Sequence, residues 1–180
     1  MDFPPLAHPI VQAPMAGGPS TPALAAAVSG AGGLGFLAAG YKSPEALRDE
    51  IAETRLLGAE LFGVNLFRIV EAPVDEAAVA RYAAALPGAG EPRFEDDAFA
   101  AKLDVVEAER VPVVSFTFGC PPADVVERLH RSGAAVWVTV TEVEEALDAR
   151  KAGADALVVQ GVEAGGHRGT FADEDGTGEL

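Results

Sequence analysis

Gly153-Ala154-Asp155-Ala156-Leu157-Val158-Val159-Gln160-Gly161-Val162-Glu163-Ala164-Gly165-Gly166-His167-Arg168-Gly169-Thr170 contains a helix stop, an apolar run and a glycine-rich loop with one histidine, in that order. A glycine that ends a helix in the left-handed conformation and leads directly into an apolar run is typical of the joint between a helix and the next strand of a parallel sheet. Ligands bind beyond the carboxyl ends of parallel strands. We therefore expect a functional site in the loop that follows Gln160.

The same joint recurs along the chain, at Gly58-Ala59 and at Gly133-Ala134. Short apolar runs alternate with longer stretches of helical character, and the candidate strands are residues 9–15, 34–38, 61–67, 112–118, 135–140 and 156–160. Near-continuous apolarity suits strands of a parallel sheet that is covered on both faces. The alternation predicts an α/β fold of right-handed βα units, arranged as a closed barrel or as an open doubly wound sheet.

Helix start signals agree with that fold class. Thr21 and Ser43 each precede a proline at the first helical position, and Thr141 with Glu144 forms a capping-box pattern. Residues 72–110 contain two helical segments in a row, which predicts an inserted helical segment at that place. We see no domain boundary there and expect a single domain over residues 1–180.

Composition excludes several classes of protein. The chain has 28 acidic against 13 basic residues and a formal net charge of -15, which argues against a nucleic-acid partner because phosphate binding needs clustered Lys and Arg. The single cysteine, Cys120, excludes an internal disulfide framework. The sequence has neither a basic segment before an apolar core at its start nor an unbroken apolar run of roughly 20 residues, so we expect no membrane span and a cytoplasmic protein.

His167 is the histidine that the pattern favours for chemistry. Two glycines precede it, and a backbone with positive φ there lets the imidazole point into a cleft, where its neutral form can take a proton from a carbon acid. The alternative is an ordinary loop histidine. His8 and His130 are expected to be structural, and Cys120 has no partner that would make it a nucleophile. His167 also lacks the companion ligands that a zinc ion requires, so we expect no metal.

Four motifs together resemble one known family. They are QAPMAGGPSTPALAAAVSGAGGLGFLAAGY, FGVNLF, VVSFTFG and GADALVVQGVEAGGHRGTF, in this order, and the resemblance runs from about residue 8 to residue 174. They are similar to the nitronate monooxygenases, formerly called 2-nitropropane dioxygenases. The resemblance implies a (β/α)₈ TIM barrel with an inserted helical region, bound FMN, and oxidation of alkyl nitronates or nitroalkanes with dioxygen.

The same resemblance implies roles for particular residues. Met15 and Gly17 would lie beside the flavin, and Asn65 and Gln160 would hydrogen-bond to the isoalloxazine or its ribityl chain. Gly165 would belong to the cofactor loop. His167 would be the base that deprotonates a neutral nitroalkane, or the group that binds the nitronate anion.

Two alternatives stay open at this stage. The FMN-dependent enoyl-acyl-carrier-protein reductases have a similar site loop, although Gln160 and the continuation Arg168-Gly169-Thr170-Phe171 look more like the monooxygenases. The predicted strands number six where a (β/α)₈ barrel has eight, so we expect a barrel truncated after about six βα strands. Such a fragment has open edges, which points to a homo-oligomer, a completing partner, or an inactive truncated homologue.

Overall fold

The structure is a computed structural model that describes residues 6–71, 75–88, 90 and 93–172. Its centre is one parallel sheet of five strands, in which each strand pairs with the next one along the chain. The strands are β1 (Gly35–Ala38), β2 (Phe62–Phe67), β3 (Val113–Thr117), β4 (Ala135–Val140) and β5 (Ala156–Val159). The predicted α/β class with a parallel sheet is therefore confirmed.

Helices precede and connect the strands along the chain. They are α1 (Pro22–Gly30), α2 (Pro44–Leu56), α3 (Glu76–Ala85), α4 (Phe99–Ala108), α5 (Ala123–Ser132) and α6 (Val143–Ala152). Both α3 and α4 lie between β2 and β3, whereas one helix serves each of the other connections between paired strands. None of the helices in the described part of the chain has the length and hydropathy needed to cross a bilayer.

The start and stop signals act as their chemistry requires. The Thr21 and Ser43 hydroxyls accept from the backbone N–H groups of Leu24 and Ala46 at the starts of α1 and α2. Gly133 and Gly153 end α5 and α6 with φ values of 94° and 99°, in the left-handed region that glycine adopts without a Cβ clash. These stops turn each helix back toward the sheet after a short connection.

Strand alternation gives the sheet an outer and an inner face. Outer side chains such as Leu37, Val64 and Val114 belong to one buried core shared with the helices. Inner side chains follow the register: Ala38 pairs with Asn65, Asn65 with Ser115, and Ser115 with Trp137, so these residues share a face. The inner face is apolar at the amino ends of the strands and polar toward their carboxyl ends.

Two sequence expectations were wrong in detail. Residues 9–15 do not form a full strand: Val11 makes an isolated parallel bridge to Leu34, because Pro9 and Pro14 cannot donate backbone hydrogen bonds to a ladder. The capping box of Thr141 with Glu144 is also absent from the start of α6, where the carboxylate that accepts from Thr141 N is that of Glu145, at 2.6 Å.

Candidate functional site at the carboxyl edge of the sheet

A polar cluster lies on the inner face near the carboxyl ends of β2, β3 and β4. It consists of Asn65, Ser115, Thr117 and Thr139. Asn65 is buried, and its Nδ2 donates to Ser115 Oγ at 2.9 Å and to Thr117 Oγ1 at 3.0 Å. The hydroxyls of Thr117 and Thr139 are 3.3 Å apart and share a hydrogen bond. The amide donor of Asn65 is thus satisfied by the neighbouring strand β3, as a buried polar group requires.

The loop that follows β5 and carries His167, residues 160–171, is called the site loop below. Gln160 holds it from the inside: its Nε2 donates to His167 O at 2.9 Å, and its Oε1 accepts from Gly169 N at 2.7 Å. Gly169 lies against the polar cluster, since a Cβ built on it would be 2.9 Å from Thr139 Cγ2. The loop therefore closes back over the cluster, and Gly169 allows the close approach.

Glu145 of α6 fixes the far end of the site loop. Its side chain is buried, and its carboxylate accepts from Phe171 N at 2.6 Å and from Thr170 Oγ1 at 3.2 Å. The same carboxylate accepts from the backbone N–H and the hydroxyl of Thr141, at 2.6 and 3.0 Å. One ionic group thereby ties the end of the site loop to the end of β4. Hydrogen bonds to a charged acceptor are stronger than those between neutral groups.

His167 is exposed on the site loop and ends a row of rings along the carboxyl edge. Its imidazole meets the ring of Phe118 edge to face, with centroids 6.1 Å apart. Phe118 contacts Phe67 at 4.9 Å, and Phe67 contacts Tyr41 at 5.5 Å, both in T-shaped geometry. Tyr41, Phe67, Phe118 and His167 are called the aromatic row below. Its members come from the connections after β1, β3 and β5 and from the last residue of β2.

The loop of residues 12–20 carries the other predicted cofactor contacts. Ser20 Oγ accepts from Met15 N and from Gln12 Nε2, both at 2.8 Å, while Gln12 Oε1 accepts from Phe36 N of β1 at 3.0 Å. Gly17 has a φ of 84°, and a Cβ built there would have no neighbour within 4 Å. This loop thus presents backbone beside open space. Within the described residues, no hydrogen bond joins it to the site loop.

The structure places the predicted residues in two groups. Contacts through Thr117, Thr139 and Gly169 connect Asn65, Gln160 and His167 around one part of the carboxyl edge. Met15 and Gly17 lie on the separate loop of residues 12–20. Gly165 belongs to the site loop, is exposed, and has no atom within 4 Å of the position of a Cβ.

Neither a reactive cysteine nor a metal-binding cluster is found in the described part of the chain. Burial raises the pKa of the Cys120 thiol, the Asp148 charge raises it further, and Arg68 opposes this only in part, so the thiol stays protonated near neutral pH. Across the described ranges, no group of three or more His, Cys, Asp or Glu side chains is arranged to hold a metal ion.

Sequence reasoning missed Glu145 and most of the aromatic row. In Ser115-Phe116-Thr117-Phe118, polar and aromatic residues alternate, and alternation along a strand predicts that both phenylalanines pack on the face that the helices cover. Phe116 is indeed buried in the outer core, but the Phe118 ring contacts Phe67 and His167. Phe118 has a φ of 70°, a value uncommon for a side chain other than glycine, and no sequence signal marks it.

Comparison with known proteins identifies the family. Residues 4–180 match the sequence model described as nitronate monooxygenase. The nitronate monooxygenase of Paraburkholderia phytofirmans is 42% identical over 175 residues, which cover 91% of this chain and 48% of that protein. The solved structure of nitroalkane oxidase from Streptomyces ansochromogenes is 49% identical with a TM-score of 0.89, covering 95% of this chain and 51% of that one.

A second solved structure, FabK from Thermotoga maritima, is 34% identical with a TM-score of 0.68 and covers 90% of this chain and 43% of that chain. The chain spans about half the length of the curated relatives it matches. The matched region includes all four sequence motifs, the polar cluster and the site loop. By its sequence and by its arrangement of strands, the chain belongs to the nitronate monooxygenase family.

Proposed function

We propose that this chain supplies the catalytic edge of an FMN-dependent enzyme that oxidises alkyl nitronates, or the nitroalkanes that give rise to them, with dioxygen. The observation that carries the proposal is the position of His167: it lies at the carboxyl edge of a parallel sheet, on a loop held at both ends by Gln160 and Glu145. The relatives named nitronate monooxygenase support the choice of reaction.

The residues present fit a flavin. Gly17 presents its backbone to open space, which suits the close approach of a planar ring. Asn65 Oδ1 accepts no hydrogen bond from the described residues, so it is available to a donor of the flavin or its ribityl chain. Met15, Gly17, Asn65, Gln160 and Gly165 would hold the cofactor. When bound, FMN supplies the one-electron chemistry between a nitronate and dioxygen.

His167 has two possible tasks, and they differ in protonation. In its neutral form the imidazole removes a proton from the carbon next to the nitro group of a nitroalkane, which gives the nitronate. In its cationic form it binds a nitronate anion that arrives already ionised. Both tasks need an exposed ring at a fixed position. Gln160, which accepts from Gly169 N and donates to His167 O, together with the edge contact to Phe118, supplies that position.

Substitution of His167 by Ala separates these tasks. If His167 is the base, kcat/KM for nitroethane falls by about 100-fold or more, the usual contribution of a general base, while kcat/KM for ethyl nitronate falls far less. Equal losses with both substrates indicate the binding role. Oxygen consumption by the FMN-loaded protein measures both values. His8→Ala, a change at another exposed histidine, is the matched control and leaves both values unchanged.

The alternative reaction is that of an FMN-dependent enoyl-acyl-carrier-protein reductase. The names of the curated relatives favour nitronate oxidation. Stopped-flow spectroscopy distinguishes the two: rapid flavin reduction by NADH, without oxygen uptake on propionate 3-nitronate, contradicts the proposed function. A location in the cytoplasm, a single domain and a homo-oligomer or completing partner belong to the same proposal as secondary expectations.

A further inference from the structure

Several independent structural features support the aromatic row. The proposed chemistry uses only the His167 ring and the edge contact with Phe118 that positions it, and it assigns no role to Phe67 or Tyr41. Two of its members, Tyr41 and Phe118, have left-handed backbones with φ values of 66° and 70°. For residues other than glycine, such backbone conformations cost of order 1 kcal/mol or more, and they persist where the surrounding structure holds them. At both positions, the surrounding structure therefore holds the backbone in an unfavourable conformation that sets the direction of the side chain.

The backbone of Phe118 explains where its ring lies. Thr117 faces the inner side of the sheet, in register with Phe67 of β2, so simple alternation would direct the next side chain to the outer face. The left-handed turn at Phe118 accompanies the opposite outcome, since its ring contacts both Phe67 and His167. The ring thus bridges the inner face of the sheet and the site loop.

Phe67 and Tyr41 are supported by their own neighbours. A Cβ at Gly40 would be 2.3 Å from the Phe67 ring, so the absence of a side chain at Gly40 gives that ring its space. Tyr41 N donates to Asp97 Oδ1 at 3.0 Å, and Asp97 Oδ2 lies 2.7 Å from the Nζ of Lys102, whose side chain is buried. A buried ion pair in and before α4 therefore fixes the backbone that presents Tyr41.

The outer end of the row opens into space. Tyr41 is 70% exposed and lines an open cavity of about 690 Å³. The rest of the cavity lining is mixed: Phe94, Ala98 and Ser43 lie beside the charged residues Lys42, Glu95, Asp96 and Asp97. The other three members of the row, Tyr41, Phe67 and Phe118, present aromatic rings. A ligand that extends from His167 toward Tyr41 would meet apolar ring faces and edges along its length.

We propose that the aromatic row is the subsite for the apolar substituent of the substrate, so that the enzyme prefers nitronates with an extended alkyl or aryl group. The inference rests on the proposed function, because it places the nitronate group at His167. Apolar surface is removed from water with each added methylene along the row, which raises affinity by up to about fourfold per methylene at full burial. Consecutive ring centroids 4.9 to 6.1 Å apart provide surface for several such groups.

The first test measures kcat/KM by oxygen consumption for linear nitronates from ethyl to hexyl. We expect kcat/KM to rise with chain length in the wild-type protein, and Tyr41→Ala to lower the value for hexyl nitronate about tenfold more than the value for ethyl nitronate. Phe67→Leu, which keeps an apolar side chain at a less exposed position, reduces the same dependence by a smaller factor. Tyr82→Ala is the matched control, since Tyr82 is also 70% exposed but lies on α3 outside the row.

The second test requires no turnover. Linear carboxylates from acetate to heptanoate share the planar two-oxygen anion of a nitronate, and calorimetric titration of the full chain gives their affinities. Affinity that rises with length in the wild type and in Tyr82→Ala, but less in Tyr41→Ala, supports the subsite even if no nitronate is oxidised. Absence of oxygen uptake with every nitronate would contradict the proposed function but would leave the evidence for the subsite unchanged.

Two results overturn the subsite itself. One is an affinity for carboxylates that is independent of chain length in the wild type. The other is a loss of FMN affinity in Tyr41→Ala and Phe67→Leu, measured by flavin fluorescence, together with equal losses of kcat/KM for short and long nitronates. That second pattern would assign the aromatic row to the cofactor.

Discussion

The two ends of the inner face of the sheet differ in composition. At the amino end, Phe36, Val113 and Leu34 form a small buried cluster, against which Trp137 packs. At the carboxyl end, the polar cluster of Asn65, Ser115, Thr117 and Thr139 lies next to exposed or half-buried rings. The inner face is thus closed and apolar at the amino end, where the cluster of Leu34, Phe36, Val113 and Trp137 is called the apolar floor below, and it is open and polar at the carboxyl end.

This difference separates stability from function along each strand. The amino end gains its stability mainly from burial and close packing, because the side chains of Leu34, Phe36 and Val113 have no polar groups. The carboxyl end keeps polar groups that are satisfied by neighbouring strands and by the site loop, which costs stability unless every partner is present. Substitutions at the two ends should therefore have different consequences.

The largest effect is expected at the apolar floor. Phe36 is 2% exposed, its ring lies 5.9 Å from that of Trp137, and a Cβ at Gly63 would clash with it at 2.2 Å. Phe36→Ala should lower the free energy of unfolding by about 3 to 5 kcal/mol, the usual cost of removing a buried phenylalanine. Urea titration measures the loss.

An exposed leucine provides the control for Phe36→Ala. Leu56→Ala removes an apolar side chain that is 87% exposed, and it should change the free energy of unfolding by less than about 0.5 kcal/mol. If Phe36→Ala is equally mild, the amino end is not the stabilising floor, and the contrast between the two ends is lost.

The sequence predicted the strands of the sheet better than the contacts at its carboxyl edge. Strands β2, β4 and β5 were found because continuous apolar runs follow glycine helix stops, and β1 and β3 were found from their apolar runs alone. Both signals are local. Residues 9–15 were predicted to be a full strand because they are mostly apolar, and the effect of Pro9 and Pro14 on strand pairing was given too little weight. Asn65, Gln160 and His167 lie in compact motifs and were found as candidates, whereas Glu145 and Tyr41 gain their roles from contacts with residues far along the chain. Such contacts leave no periodic pattern in the sequence.

The second prediction concerns the anchor of the site loop. Glu145→Ala removes an acceptor of four hydrogen bonds from Thr141, Thr170 and Phe171 and leaves two backbone N–H groups without it. The free energy of unfolding should fall by about 2 to 4 kcal/mol, within the range for breaking a buried hydrogen-bond network. Urea titration gives this value, and hydrogen exchange at Gly169 and Phe171 should rise more than exchange in β2.

Glu144 provides the matched control for this anchor. It is the adjacent glutamate of α6 and is exposed, so Glu144→Ala should leave both stability and exchange in the site loop nearly unchanged. Similar effects of the two substitutions would show that α6 responds to the loss of negative charge in general, and that the carboxyl edge has no specific anchor there.

The smallest of the three effects is expected at the amino end, where one charged contact lies beside the apolar floor. Asp155 Oδ2 accepts from Val136 N at 2.7 Å and pairs with His130 Nε2 at 2.8 Å. Burial alone would raise the pKa of Asp155, but the hydrogen bonds from Val136 and His130 outweigh it and lower that pKa below its ordinary value of 3.8.

Because the folded pKa is below the unfolded one, the ionised carboxylate stabilises the fold above the unfolded pKa, and that contribution is lost as the pH falls through the folded pKa. Asp155→Asn keeps an oxygen for Val136 N and removes the charge, so it should lower the free energy of unfolding by about 1 kcal/mol at pH 7. Urea titrations from pH 7 to pH 3 should show the two proteins converging at acid pH. A difference that stays constant over this range would mean that the Asp155 charge does not stabilise the amino end, and that packing alone does.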